Sequence, residues 1–150
     1  MTHLLNDANE RTRFLKFATV GAIGTVVDFG IYNFLNIVFG LAPVISQAIS
    51  FVVAVVNNFL WNRHWTYPES RAKAVHHQMV QFGLINVVGL IIRTPIIAGL
   101  EHPIGVLVGR LGVQAEAATV IGHNLALAIA IGIVMLWNYF ANRYWTYNDV

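Results

Sequence analysis

Four long apolar runs, separated by short polar stretches, organise this chain. The first extends from about Phe14 to Phe39 and is broken by Gly40-Leu41-Ala42-Pro43. The second starts near Pro43, which suits a first helical turn because no intrahelical donor is lost there, and it ends near Trp61. The polar segment Asn62 to His77 contains Pro68-Glu69-Ser70-Arg71 and reads as a loop. The third run covers residues 78–100 and the fourth residues 118–141. Each is long enough, as a helix, to cross a hydrocarbon core about 30 Å thick. Between the last two, Ile104, Leu107, Val108 and Leu111 recur at helical spacing, so residues 101–117 read as either a short interfacial helix or a re-entrant loop. The pattern predicts an all-α membrane protein, one domain over residues 1–150, with four transmembrane helices. The polar start, Met1 to Arg13, is expected in the cytoplasm or along the interface.

Composition agrees. Hydrophobic residues make up 57% of the 150 and charged residues 11%, whereas a soluble domain carries about a quarter charged residues to cover its surface. The first run is too long for the apolar region of a signal peptide and has no convincing cleavage site, so it is read as retained. The absence of cysteine excludes disulfides, thiolate metal sites and cysteine nucleophiles. Arg11, Arg13, Lys16, Arg63, Arg71, Lys73 and Arg143 flank the side that holds both termini and the middle loop, while Arg110 alone lies on the other side. That bias puts both termini in the cytoplasm.

A repeat runs through the pattern. Asn62-Arg63-His64-Trp65-Thr66-Tyr67 closes the second run and Asn142-Arg143-Tyr144-Trp145-Thr146-Tyr147 closes the fourth, with Asn58 matching Asn138 upstream. The first and third runs align more weakly, Phe17 with Phe82 and Gly24 with Gly89, and this sets Asp28 opposite Arg93. Each copy has two helices, so the halves are two helical hairpins related as parallel repeats.

Asp28 and Arg93 each lie eleven residues beyond the matched phenylalanine, about 16 Å into a helix at 1.5 Å per residue. A charge at that depth costs at least about 2.5 kcal/mol, and it faces a partner or a wet cavity. A structural salt bridge would account for the pair. So would a fixed cation at Arg93 for an anionic head group, held by Asp28, with Asn86 on the same helix face. The second constellation is Asn58, Asn62 and Arg63 with its counterpart Asn138, Asn142 and Arg143. The amides share one helix face, and the arginine fork matches a phosphate. Against this, arginine at a helix end also sets topology, and Trp61, Trp65, Tyr67, Trp137, Trp145 and Tyr147 read as interfacial anchors. Gly21, Gly24, Thr25 and Gly89 read as points of close helix approach. The histidines, His76, His77 and His123 among them, and Asn124 read as solvated or packing residues. No nucleophile elbow, phosphate loop, carboxylate pair or metal set stands in the sequence. Neither an enzyme, a metal, a cofactor nor a nucleic-acid partner is therefore expected.

Phe14-Leu15-Lys16-Phe17, Val20-Gly21-Ala22-Ile23-Gly24, Asp28, and Asn57-Asn58-Phe59 through Asn62-Arg63-His64-Trp65-Thr66-Tyr67 together resemble the GtrA-like family, over about Arg13 to Tyr147. The resemblance implies a small four-helix bacterial membrane protein of cell-surface polysaccharide synthesis or glycosylation. It would move a polyprenyl-phosphate-linked monosaccharide between leaflets, with Asn58, Asn62 and Arg63 in the family's motif. The fourth-helix copy departs from that motif at Trp137 and Tyr139. Arg93 is assigned by its depth and charge, not by the resemblance. Since four helices enclose little volume, a homo-oligomer is expected. The rival readings are a non-transporting membrane subunit that anchors a glycosyltransferase and a small multidrug-type exporter. The latter is weakened because Arg93 would neutralise the carboxylate that a cation needs.

Overall fold

A computed structural model describes residues 8–148. The first seven residues of the polar start lie outside the described residues. Helix α1 spans Ala8–Asn33 and continues as a π-helical turn over Phe34–Val38. Helix α2 spans Pro43–Trp61 and ends in a second π-helical turn, Asn62–Thr66. After a 3₁₀ turn at Pro68–Ala72, α3 spans Val75–Arg110 and α4 spans Ala115–Ala141, which closes on a third π-helical turn, Asn142–Thr146. All four helices are long and apolar enough to cross a membrane. Two compact units divide the chain, Met1–Gly83 with Asn142–Val150 and Leu84–Ala141.

In the first unit α1 packs along α2. Gly40, at φ +65°, makes the turn between them in the left-handed region that glycine enters without strain. Asn36 Nδ2 donates to Leu41 O at 2.9 Å, and Pro43 occupies the first turn of α2. The buried face of α1 carries Phe17, Val20 and Gly24. Along α2, Ser46, Ser50, Ala54, Asn58, Asn62 and Thr66 recur every fourth residue, a stripe on one face that is small at one end and polar at the other. Ser46 and Ser50 are buried, and so are Asn62 and Thr66. Gly24 brings the helices together. A Cβ there would fall 2.1 Å from Asn58 Oδ1, so only glycine leaves room for the amide.

The second unit repeats this design with other residues. Gly89 on α3 lies where a Cβ would stand 3.1 Å from Asn138 Oδ1 and 3.0 Å from Val134. Buried Ala126 and Ala130 of α4 take the places of Ser46 and Ser50, and Ile85 takes that of Val20. The pairing of Gly24 with Gly89 and of Asn58 with Asn138 is thus a repeated contact between helices. Gly21 departs from its sequence reading: nothing lies within 4 Å of where its Cβ would be.

Helix α3 also differs from expectation. It runs unbroken to Arg110 through Pro95 and Pro103, so residues 101–110 are neither a separate interfacial helix nor a re-entrant loop. A proline removes only its own donor, and tertiary packing holds the rest of the ladder. Here the packing is close. A Cβ on Gly122 would meet Glu101 O at 2.7 Å and Gly105 N at 2.7 Å, and one on Gly105 would meet Ala118 O at 3.4 Å. Gly112, at φ +88°, then reverses the chain, and α4 begins at Ala115 rather than at residue 118.

Gly122→Ala should therefore destabilise the protein by about 1–3 kcal/mol, since backbone atoms cannot swing aside. Gly21→Ala, with open space around it, should leave stability unchanged or slightly higher. Unfolding of the purified variants in mixed detergent micelles measures the difference. Equal stabilities would show that the α3–α4 crossing is looser than these distances.

Candidate functional site

One end of the first unit gathers the beginnings of α1 and α3 and the last turns of α2 and α4. The two copies of the Asn-Arg-x-Trp-Thr-Tyr run adopt the same backbone there. Tyr67 N donates to Asn62 O and Tyr147 N to Asn142 O, each at 2.8 Å across five residues. Asn62 Nδ2 also donates to Asn58 O at 2.9 Å. Pro68 disfavours helix at the residue before it, and Tyr67 leaves the helix at φ −128°, ψ 61°. The wider turn aims both tyrosines inward. Their rings stack with centroids 4.3 Å apart and planes 18° from parallel. Both are fully buried, which corrects their reading as interfacial anchors. Trp61, Trp65 and Trp145 do face outward. Burial raises the Tyr147 phenol above its ordinary range, and the charge of Arg63 opposes that rise without cancelling it. Its hydroxyl stays protonated and has no hydrogen-bond partner.

The two arginines diverge. Arg143 meets Glu10 from α1: Nε lies 3.2 Å from each carboxylate oxygen and Nη2 lies 3.1 Å from Oε1. Glu10 is buried and is shared with Arg13 at 2.8 Å. Arg63, only 5% exposed, has a different environment. Its Nη2 donates to the main-chain carbonyls of Arg71 at 3.1 Å and Lys73 at 3.0 Å, and its Nη1 is buried without a partner. Among the described residues no carboxylate pairs with it. The repeat gives the reason. In the register that matches Phe17 with Phe82, the counterpart of Glu10 is Val75. One copy of the site has its counter-ion built in and the other does not.

The remaining candidates are distributed between the units. Asn58, Asn62, Arg63, Asn142 and Arg143 belong to the first, together with Asp28, which is half-buried one turn beyond Gly24 with Oδ1 unpartnered. Arg93, Asn86 and Asn138 belong to the second, where Arg93 is half-buried one turn beyond Gly89. Asp28 and Arg93 thus occupy equivalent places in the two repeats, each described within its own unit.

The sequence reading passed over three features. Glu10 lies in a polar stretch taken as solvated, and its signal is an acidic residue in the first turn of α1. Gln78, at the start of the third run, is fully buried; Nε2 donates to Ser70 O at 3.1 Å and Oε1 has no partner. In the second unit, His123 Nδ1 lies 3.0 Å from Glu101 Oε2 beside a cavity of about 610 Å³ lined by His102, Gly105, Ala118 and Asn124.

The pairing of Arg143 generates a stability prediction. Arg143→Gln leaves the buried Glu10 carboxylate short of a partner and should cost about 3 kcal/mol. Glu10→Gln together with Arg143→Gln should cost less than the sum of the single changes, because the two charges leave together. Thermal unfolding in detergent completes the cycle, and strict additivity would refute the coupling.

Sequence comparison gives this geometry its relatives. A family model described as the GtrA/DPMS transmembrane domain matches residues 16–147, from within α1 to the second stacked tyrosine. The membrane protein YngA of Bacillus subtilis (strain 168), described as uncharacterized, is 32% identical over 134 residues, covering 89% of this chain and 78% of that protein. A dolichol-phosphate mannosyltransferase of Pyrococcus furiosus is 26% identical over 91 residues, which are 60% of this chain and 25% of the longer relative. The alignment takes in both helical hairpins and both terminal turns, and the chain belongs to the GtrA/DPMS transmembrane-domain family.

Proposed function

We propose that this protein moves a polyprenyl-phosphate-linked monosaccharide across the cytoplasmic membrane, with Arg63 as the site that receives the phosphate. The observation that carries the reading is the buried guanidinium of Arg63, held by two carbonyls, unpaired with any described carboxylate and left with one free face. A buried cation without a counter-ion is costly, and an anion that supplies one recovers part of that cost after its own desolvation. A phosphate oxygen accepts from Nη1 of that guanidinium in a charge-assisted hydrogen bond. On the orientation read from the positive residues, Arg63 lies at the cytoplasmic end, where a newly made glycolipid presents its head group. The amides of Asn62 and Asn58 then lead inward along α2. Arg93, one turn past Gly89, supplies a cation deeper in the membrane, where a bare phosphate in hydrocarbon is prohibitively costly. The chain acts by binding and passing on its ligand, not by catalysis, and assembles as a homo-oligomer.

A second reading has its own support. The Pyrococcus relative is named as a mannosyltransferase, and this chain matches only a quarter of it. A membrane segment of this kind can therefore anchor or organise a glycosyltransferase without transport. Purified protein reconstituted alone with a labelled polyprenyl phosphohexose separates the two. Movement of the label between leaflets supports the carrier, and failure to move it while a partner glycosyltransferase is retained on the membrane supports the anchor.

Within the carrier reading, Arg63→Gln should lower the initial rate at least tenfold with normal membrane insertion. Arg143→Gln, compared at equal amounts of folded protein, should lower it less, because Glu10 already neutralises that arginine. Equal losses would remove the distinction between the two copies. Arg93→Lys keeps the charge but loses the fork, so it should impair transport less than Arg93→Ala. An Arg93→Ala protein that inserts normally and transports at the wild-type rate would exclude this route for the phosphate.

A further inference from the structure

Phe59 of α2 and Phe82 of α3 meet edge to face with centroids 5.8 Å apart. The two helices run in opposite directions, so one turn onward along α2 and one turn back along α3 lead to the same end. Those steps arrive at Arg63 and Gln78, which therefore share one seam. Both side chains reach up to the same short segment, Arg63 to the carbonyls of Arg71 and Lys73 and Gln78 to the carbonyl of Ser70. Both are more than nine-tenths buried. Each also keeps one polar atom without a partner: a donor, Nη1, on Arg63 and an acceptor, Oε1, on Gln78.

That combination selects for chemistry. An unfilled buried donor or acceptor costs about 1–3 kcal/mol. A phosphate oxygen accepts from Nη1 of Arg63 but gives nothing to Oε1 of Gln78, because a phosphate diester or a fully ionised monoester brings acceptors only. The Gln78 oxygen needs a donor. Thr66, one turn beyond Asn62 on the stripe, is buried with an unpartnered hydroxyl. The oxygens of Asn58 and Asn62 on that stripe are likewise buried and unpartnered acceptors. A phosphate diester with a sugar hydroxyl beside the phosphate group satisfies both sides, and a fully ionised phosphate without a sugar does not. The repeat sharpens the point. The counterpart of Gln78 in the first helix is Arg13, which pairs with Glu10 and lies over the ring of Tyr67. A neutral amide replaces a cation at the copy whose arginine meets no carboxylate among the described residues.

Resting on the proposal that Arg63 receives the phosphate, we infer that Gln78 is the specificity-determining residue of this site: its side-chain oxygen accepts a hydrogen bond from a sugar hydroxyl beside the phosphate held by Arg63. The pair thereby distinguishes a glycosyl phosphate from an unglycosylated one.

Binding rather than transport tests this. Wild-type protein in nanodiscs is titrated with inorganic phosphate, with glucose, galactose and mannose 1-phosphates, with polyprenyl phosphate and with polyprenyl phosphohexose. The expected result is at least a tenfold preference for the glycosylated member of each pair. Gln78→Met, which keeps the length but removes both the acceptor and the donor to Ser70 O, should abolish the preference, lowering affinity for the glycosylated probes far more than for phosphate or polyprenyl phosphate. Gln78→Glu keeps an acceptor but loses that donor and places a second charge beside the phosphate, so it should weaken every probe, with thermal unfolding of both variants measured alongside. No preference in the wild type, or a preference that survives Gln78→Met, overturns the assignment. Failure of every probe to bind overturns the phosphate site at Arg63 and this assignment with it. Equal affinity for soluble and lipid-linked hexose phosphates would refute the glycolipid carrier while leaving the role of Gln78 in place.

Discussion

A guanidinium taken out of water must be surrounded by acceptors, and this requirement shapes the end of the molecule where the helices of the first unit converge. Exposure cannot satisfy it, because Arg63 is almost wholly enclosed. The acceptors come instead from the main chain of the segment after α2, which folds back so that two carbonyls face Arg63. The wider helical turn at Asn62–Thr66 supports this placement by directing the chain inward, and Pro68 fixes where the helix ends. Tyr67 then lies flat against Tyr147. The stacked rings surround the site with apolar faces, and burial within that packing keeps the Tyr147 phenol neutral.

Duplication makes the role of charge legible within one chain. The two copies have the same turn, the same buried asparagine and threonine, and the same aromatic partner. Glu10 reaches Arg143, whereas Val75 stands in the equivalent register for Arg63. A near-symmetric backbone thus holds one internally compensated cation and one that meets no carboxylate among the described residues. The compensated copy is suited to holding α1 against the last turn of α4, both within the first unit; on the proposed function the other keeps its carbonyl partners and offers Nη1 to an external anion.

Much of this was readable before any coordinates. Long apolar runs locate the four helices, and Pro43 to Trp61 matched α2 to the residue, while α1, α3 and α4 begin ahead of their runs. The repeat was visible because arginine, tryptophan and tyrosine recur in order with few substitutions. Gly24 and Gly89 were legible as contact points because each stands in register with its copy, but their partners, Asn58 and Asn138, required the packing. Other features had no local signal. Residues 101–117 read as an interfacial helix or a re-entrant loop, yet α4 packs so closely on residues 101–105 that α3 runs on to Arg110. Tyr67 and Tyr147 carry the composition of interfacial anchors, and only the turn geometry directs them inward. Gln78 is a single polar residue at the edge of an apolar run, and nothing in sequence separates a solvated glutamine there from a buried one.

The gradation along α2 bears on how a ligand held at Arg63 could be released. From that arginine the buried stripe passes through Thr66, Asn62 and Asn58 to Ala54, Ser50 and Ser46, with no further charge on that face. Amides and hydroxyls exchange hydrogen bonds at a net gain of about 1 kcal/mol each, far less than a buried ion pair. A pathway needs binding strong enough to admit a ligand and weak enough to let it leave. A second arginine one turn from the first would bind the phosphate more tightly and hold it there. On the proposed function, neutral hydrogen-bonding groups follow the sugar hydroxyls without fixing them.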